Sequence, residues 1–274
     1  APLTHGSGSK VLGIVAMGGT NVTLRRFRPD EFAAAVAEHR GTHSFLVPTM
    51  LQRLVEASTE VHDAVRRMRQ ITVGGAPISP ANFGRAIELL GPILTQIYGA
   101  SEAPHPLTLL RPDDYRDNMS EALLRSAGYP APSVSLRVVD SHGDDVRAGE
   151  DGELLVRAPS VMVGYWNRPE ATQEVIDEHG WYHTGDIVNV NQSGAVTFRD
   201  RKRDLVITGG MNVYPTEVER VLEENPDIAM AAVVGYPDDE WGEALAAFIV
   251  RAPNSTIDEE GVISWVRERL AGYK

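Results

Sequence analysis

Residues 199–220 read RDRKRDLVITGGMNVYPTEVER, and their character changes twice. Six consecutive charged residues, 199–204, run into the apolar triplet 205–207. A glycine pair, Gly209 and Gly210, follows, and then a helix start. Pro215 suits a first helical turn, where its missing N–H costs nothing, and Glu217 faces the positive end of the helix dipole. Val218, Val221 and Leu222 share one face, and Pro226 stops the helix. The pattern predicts a compact α/β unit of strand 205–208, helix 215–224, strands 228–234 and 244–250, and helix 257–270. A capping box, Thr256 with Glu259, is expected to open the last helix.

Upstream of the charge run the texture differs. From Gly128 onward, short strands such as SLRVVD, GELLVRA, DIVNVN and AVTFRD are separated by Gly/Asp turns. That stretch predicts a small barrel-like β subdomain over 128–202. The first 127 residues alternate helical pieces (PDEFAAAVAEH, TMLQRLVEA, ANFGRAIELL) with strand-like ones (HSFLVP, QITVGGAPIS, ILTQIYGASE). Alternation of this kind implies an α/β architecture.

Composition sets further bounds. Of 274 residues, 42% are hydrophobic and 23% charged, which supports a globular core rather than disorder. No apolar run approaches the roughly 20 residues that cross a bilayer, and the first ten residues lack a signal-peptide pattern. A cytoplasmic protein is expected. The absence of cysteine excludes disulfides, thiol chemistry and cysteine metal sites. A net charge of −12 argues against broad nucleic-acid or anionic-membrane binding, so an anionic ligand would need local donors. Only Lys10, Lys202 and Lys274 are lysines, which limits any lysine-dependent chemistry.

Three segments put turn glycines beside reactive groups. GGAPIS, residues 74–79, ends a strand with bare backbone against which a flat ligand could lie. YGASE, residues 98–102, offers a ring for stacking, a hydroxyl at Ser101, and a hard oxygen at Glu102 suited to Mg2+. WYHTGD, residues 181–186, ends in Asp186, whose carboxylate can accept two hydrogen bonds and so matches the vicinal hydroxyls of a ribose. Read singly, each is also an ordinary turn.

In this order and spacing, however, the three resemble the adenylate-forming superfamily of acyl-CoA synthetases, peptide-synthetase adenylation domains and luciferases. PLTHGSG resembles the segment before the acid-binding region, YGASE the family's Y-G-x-T/S-E, and GELLVRAPSVMVGYWNRPEAT its barrel signature. YHTGD and RDRKRDLVITGGMNVYPTEVE resemble its ribose-binding and hinge motifs. The resemblance covers essentially the whole chain. It implies part of a large N-terminal domain (an α/β subdomain over 1–127 and the β subdomain over 128–202), followed by a small mobile α+β domain over 203–274.

The resemblance also implies roles. Gly75 and Ala76 would lie along an adenine edge and Tyr98 on its face. Ser101 would contact the α-phosphate and Glu102 the Mg2+, while Asp186 and Arg201 would hold the ribose. His5 and Ala100 would border the acyl pocket, His5 either gating it or simply packing there. GYWN, residues 164–167, would be structural. Arg203 would be the hinge, and Gly209 and Gly210 would lie along the channel for the pantetheine thiol, where side chains would obstruct a narrow arm.

Two motifs of the superfamily have no counterpart in these 274 residues: a Ser/Thr/Gly-rich phosphate loop upstream of PLTH, and a catalytic lysine in a Gly-Lys motif beyond YK. HGSGSK lacks the spacing of a phosphate loop. The chain is therefore expected to match the middle and most of the C-terminal domain of a longer enzyme, and to be poor at adenylation by itself. The leading expectation is an ATP-dependent acid–thiol ligase using Mg2+, with a fatty or other hydrophobic carboxylic acid and CoA as its other substrates. A homodimer is left open. The alternatives are a peptide-synthetase-type adenylation domain, though no acidic partner for a substrate ammonium stands out, and a non-catalytic module that binds nucleotide or acyl groups.

Overall fold

The computed structural model describes residues 1–4, 6–117 and 119–274. The chain opens with α1 (Gly8–Ala16), α2 (Pro29–His39), β1 (His43–Leu46), α3 (Pro48–Val55), α4 (Thr59–Val65), β2 (Gln70–Val73), α5 (Pro80–Leu90) and β3 (Leu94–Tyr98). It continues through β4 (Thr108–Leu110), α6 (Pro112–Tyr115), α7 (Glu121–Leu124), β5 (Tyr129–Pro130), β6 (Ser135–Val139), β7 (Asp151–Arg157), α8 (Pro169–Val175), β8 (Tyr182–Val190) and β9 (Val196–Arg201). A 3-10 turn, Lys202–Asp204, leads to β10 (Val206–Thr208), β11 (Met211–Val213), α9 (Pro215–Glu223), β12 (Ile228–Asp238), β13 (Gly242–Arg251) and α10 (Glu259–Arg267). Two compact units divide it. One comprises 1–137, 155–183 and 190–197, and the other 138–154, 184–189 and 198–274.

In the first unit, β1 to β5 form one sheet in sequence order. β1, β2 and β3 run parallel, and β4 and β5 add antiparallel. Parallel neighbours need crossover connections, supplied here by α3 and α4 between β1 and β2 and by α5 between β2 and β3. The core beneath is dense: Leu46, Leu51, Leu54, Ile71, Phe83, Leu90, Leu94 and Tyr115 are essentially inaccessible. Each such side chain contributes roughly 1.5–3 kcal/mol by leaving water. Phe83 meets Tyr115 edge-on, its ring centroid lying 5.9 Å from the tyrosine's. The Tyr115 hydroxyl donates to the Leu94 carbonyl at 2.8 Å. Because β2 and β3 are parallel neighbours, with Val73 beside Gln96, their C-terminal ends emerge side by side.

The β-rich stretch forms a four-stranded sheet in the order β6-β7-β8-β9, its strands divided between the units. It is open where a barrel was expected. β6 and β9 are its outer strands and do not pair with each other, so the sheet lacks the closing pair that a barrel requires.

In the second unit, β11-β10-β13-β12 form an antiparallel sheet. Val213, Val218, Leu222, Ile228, Ala231 and Val233 make its core, with Val262 and Val266 of α10 packed against them. β10 and β11 form a tight hairpin in which Thr208 pairs with Met211. Its two loop residues, Gly209 and Gly210, have φ +55° and +78°. Positive φ at both positions matches the twist of the strands, and only glycine adopts it freely. The sequence pattern predicted the last helix and its neighbours but misplaced one cap. α10 begins at Glu259, and it is Asp258, not Thr256, whose carboxylate accepts from the Gly261 N–H at 2.9 Å.

Candidate active site

In the first unit, GGAPIS and YGASE come to the same sheet edge, one beyond β2 and the other beyond β3. Gly74 is pressed against Ile97, where an added Cβ would stand 2.8 Å from its carbonyl oxygen. Gly75, at φ +93°, and Ala76 are exposed just beyond. Ser79 then caps α5 by accepting the Asn82 N–H at 3.2 Å, so the segment is also a working strand-to-helix turn. Tyr98 is half-buried at the end of β3, its carbonyl accepting from Leu107 N–H at 2.8 Å.

The turn after Tyr98 is fixed by close contacts. Ala100 N–H donates to the Ala103 carbonyl at 3.0 Å, and a Cβ on Gly99 would collide with the His105 backbone at 2.5 Å. Ser101 stands exposed at the tip. Glu102 is half-buried and held twice: its carbonyl accepts the Met162 N–H at 2.7 Å, and its Oε1 accepts the Tyr165 hydroxyl at 2.9 Å. Burial, and then the Glu102 carboxylate, push the Tyr165 phenol above its ordinary pKa. Among the described residues no three His, Asp or Glu side chains cluster as ligands for an ion. A single buttressed carboxylate nevertheless fits Mg2+, which keeps several waters and commonly takes one or two carboxylates alongside phosphate oxygens.

Near Ala100, the His105 ring packs on Phe45 with centroids 5.6 Å apart, and its Nε2 lies 3.4 Å from Ser9 Oγ. Burial, and then the Lys10 charge, hold this imidazole below its ordinary pKa. His5 lies outside the described residues.

In the second unit, Asp186 is buried on β8. Its N–H donates to Thr184 Oγ at 3.1 Å, and that hydroxyl donates to the Leu154 carbonyl at 2.8 Å. Arg201, at the end of β9, brings Nε to 3.3 Å from Asp186 Oδ1. The rest of the charge run is paired as well. Arg199 reaches Asp151 at 3.0 Å, and Lys202 reaches the buried Glu153 at 2.8 Å. Asp200 is buried against Thr216. Arg203 is different: it is exposed, and its ion pair is with its own chain neighbour Asp204, at 3.4 Å. Gly209 N–H donates to the Trp241 carbonyl at 2.9 Å, and the Trp241 ring covers Gly209.

The structure thus gathers Gly75, Ala76, Tyr98, Ala100, Ser101 and Glu102 in one unit, and Asp186, Arg201, Arg203, Gly209 and Gly210 in the other. Sequence reading missed Tyr165, which lies in the GYWN segment expected to be structural, and Asp200, hidden among surface charges. The signal for Asp200 was its place three residues before the expected hinge Arg203, but nothing local distinguished it from its neighbours.

The family model of AMP-binding enzymes matches residues 1–166, and that of the AMP-binding enzyme C-terminal domain matches 217–274. A medium/long-chain-fatty-acid–CoA ligase of Mycobacterium tuberculosis is 36% identical over 273 residues, covering 100% of this chain and 47% of the relative. Among solved structures, the amide bond synthetase of Marinactinospora thermotolerans superposes with a TM-score of 0.89 at 37% identity, over 98% of this chain and 53% of that one. The o-succinylbenzoate CoA synthetase of Bacillus subtilis, solved with its acyl-adenylate intermediate, gives 0.88 at 32% identity, over 100% of this chain and 54% of the other. The chain spans about half the length of the relatives it matches. No described helix is long and apolar enough to cross a membrane.

Proposed function

Because the chain belongs to the family of AMP-binding enzymes, we propose that the protein activates a hydrophobic carboxylic acid with ATP and passes the acyl group to the thiol of CoA. The observation that carries this reading is the shared edge of β2 and β3, where a bare glycine turn, a half-buried tyrosine and a buttressed glutamate meet. Ligands of open α/β sheets bind beyond strand C-termini of this kind. In this reading Gly75 and Ala76 line the adenine edge and Tyr98 stacks on its face. Asp186 accepts from the ribose hydroxyls, with Arg201 beside it.

In the first half-reaction a carboxylate oxygen of the acid attacks the α-phosphorus, the bond to the β-phosphate breaks, and pyrophosphate leaves. Ser101 donates to the α-phosphate. A Mg2+ ion held by Glu102 and phosphate oxygens would neutralise charge there. In the second half-reaction the thiol sulfur attacks the acyl carbon, the bond to AMP breaks, and the thiol proton passes to solvent. Ala100 borders the acyl group, Arg203 is the pivot between the two halves, and Gly209 and Gly210 leave room for the thiol arm.

A second reading replaces the thiol by an amine, favoured by the likeness to an amide bond synthetase. The test is pyrophosphate release from ATP across a panel of acids, followed by AMP release on adding CoA or an amine. Both the 274-residue chain and the complete reading frame of its gene should be assayed. Acid-dependent pyrophosphate release with CoA-dependent AMP release supports the ligase. AMP release with an amine alone supports the second reading. Nucleotide binding without pyrophosphate release, even from the complete frame, would leave a binding module.

A further inference from the structure

Asp200 is a buried carboxylate in the middle of the charge run, and its partners lie on both sides of Arg203. Its Oδ1 accepts the Arg201 N–H at 2.7 Å. Its Oδ2 faces the N–H and the hydroxyl of Thr216, each at 3.1 Å. The Thr216 hydroxyl also contacts the Arg199 carbonyl, and with one proton to give it serves one acceptor at a time. Thr216 is the second residue of α9, whose N-cap residue Tyr214 makes no side-chain cap bond. Asp200 therefore caps α9 from 16 residues upstream, placing negative charge at the positive end of the helix.

The other ion pairs of the run behave differently. Arg199, Arg201 and Lys202 reach Asp151, Asp186 and Glu153, all of which precede Arg203 in the chain. Those pairs stay on one side of the pivot. The bonds of Thr216 to Asp200 and Arg199 cross it.

We infer that Asp200 and Thr216 form a latch across Arg203, which holds the segment before the pivot to the first turn of α9 and must open when the pivot turns. The inference rests on the reading of Arg203 as the pivot. Turning there parts Thr216 from Asp200, returns a buried carboxylate to water and uncaps α9. While the latch is closed, the same carboxylate fixes the Arg201 N–H and so keeps that arginine beside Asp186. Asp200 is a positioning residue, acting through Arg201 and α9.

The test uses the 274-residue chain and Thr216→Val, which removes the hydroxyl and keeps the N–H, with Thr216→Ser as the conservative control. Asp200→Asn is the second variant, since it weakens each bond made to the Asp200 carboxylate. Native-state trypsin cleavage after Arg201, Lys202 and Arg203 is the first readout. Loss of a hydrogen bond to a carboxylate should speed that cleavage roughly tenfold in Thr216→Val and more in Asp200→Asn, with Thr216→Ser at the wild-type rate. Cleavage of Thr216→Val at the wild-type rate overturns the latch. So does equal acceleration at arginines throughout the chain, which marks general loosening.

A second readout applies to the complete reading frame. There Thr216→Val should change acid-dependent pyrophosphate release and thioester formation by different factors, and equal factors overturn the latch. If no acid supports pyrophosphate release in any form, the ligase reading fails while the cleavage comparison still decides the latch.

Discussion

The phenol of Tyr165 donates a 2.9 Å hydrogen bond to Oε1 of Glu102, 63 residues upstream, from within a segment whose sequence reads as structural. The bond fixes the position of that carboxylate in the turn after β3. Phe at position 165 keeps the ring and removes the proton, so Tyr165→Phe tests positioning rather than packing. The expected result is a rise of roughly threefold to tenfold in the Mg2+ or ATP concentration needed for pyrophosphate release, with the fold intact. An unchanged Mg2+ dependence would mean that the bond serves only local structure.

Tyr115 gives a pH dependence to the core. Burial pushes its phenol up to about 12, with the nearby Arg116 charge opposing that shift. Since the folded state holds this proton more tightly, its stabilising contribution is complete below pH 10, the ordinary value, and is lost as pH rises toward 12. Denaturant titrations between pH 8 and about 11 should show that decline in the wild type and a shallower one in Tyr115→Phe. At neutral pH the same variant should lose about 1 kcal/mol with its hydrogen bond. Parallel decline in both proteins would assign the alkaline loss to other groups.

Glu219 on α9 gives the opposite end of the scale. Its Oε1 accepts the Val233 N–H at 2.9 Å. Burial raises its pKa, the Val233 bond lowers it, and the Asp200 and Glu223 charges raise it further. A carboxyl raised in this way stabilises fully below its ordinary value of 4.5, and the contribution fades as pH climbs through the raised value. Glu219→Gln keeps an acceptor for Val233 and removes the charge. Its Tm should exceed that of the wild type at pH 7, and the gain should vanish near pH 4. A lower Tm at pH 7 would show that the ionised carboxylate is worth more to Val233 than its burial costs.

Gly209 and Gly210 separate two reasons for glycine. Alanine at Gly210 meets no atom within 4 Å and should cost only the strain of positive φ, about 1–2 kcal/mol. Alanine at Gly209 incurs that strain and also brings Cβ to 2.9 Å from the Trp241 ring. Gly209→Ala should therefore shift tryptophan fluorescence and slow the thiol-dependent step more than Gly210→Ala does. Equal effects would attribute both glycines to turn geometry alone.

Much of this was legible because it is local. Pro29 and Pro215 open helices where their missing N–H is harmless, and short strand-like stretches between the helical ones marked β1, β2 and β3. Turn glycines marked the ends of β2 and β3, and the parallel pairing of those strands then brought the two turns together. Short elements were not legible: α4, α6 and α7 have at most two turns, too few for a 3.6-residue period to emerge. Long-range partners were hidden for a different reason. Nothing in the sequence near Asp200 says that its acceptor oxygens serve a helix 16 residues on, and nothing near Tyr165 points to Glu102. A run of six charges reads as solvated surface until the strands and helix that receive it are in place.

The paired charges on β9 also guard its alignment. Arg199 and Arg201 share one side of the strand and meet Asp151 and Asp186, while Asp200 points the other way, to Thr216. A slip of one residue would exchange those sides. In one direction it would set Asp200 against Asp186, in the other Asp200 against Asp151, and in either an arginine against the positive end of α9, two repulsions in place of two attractions. The strand thus carries its own proofreading in the alternation of sign along Arg199, Asp200 and Arg201, and a single-residue insertion or deletion there should be tolerated less well than any one substitution.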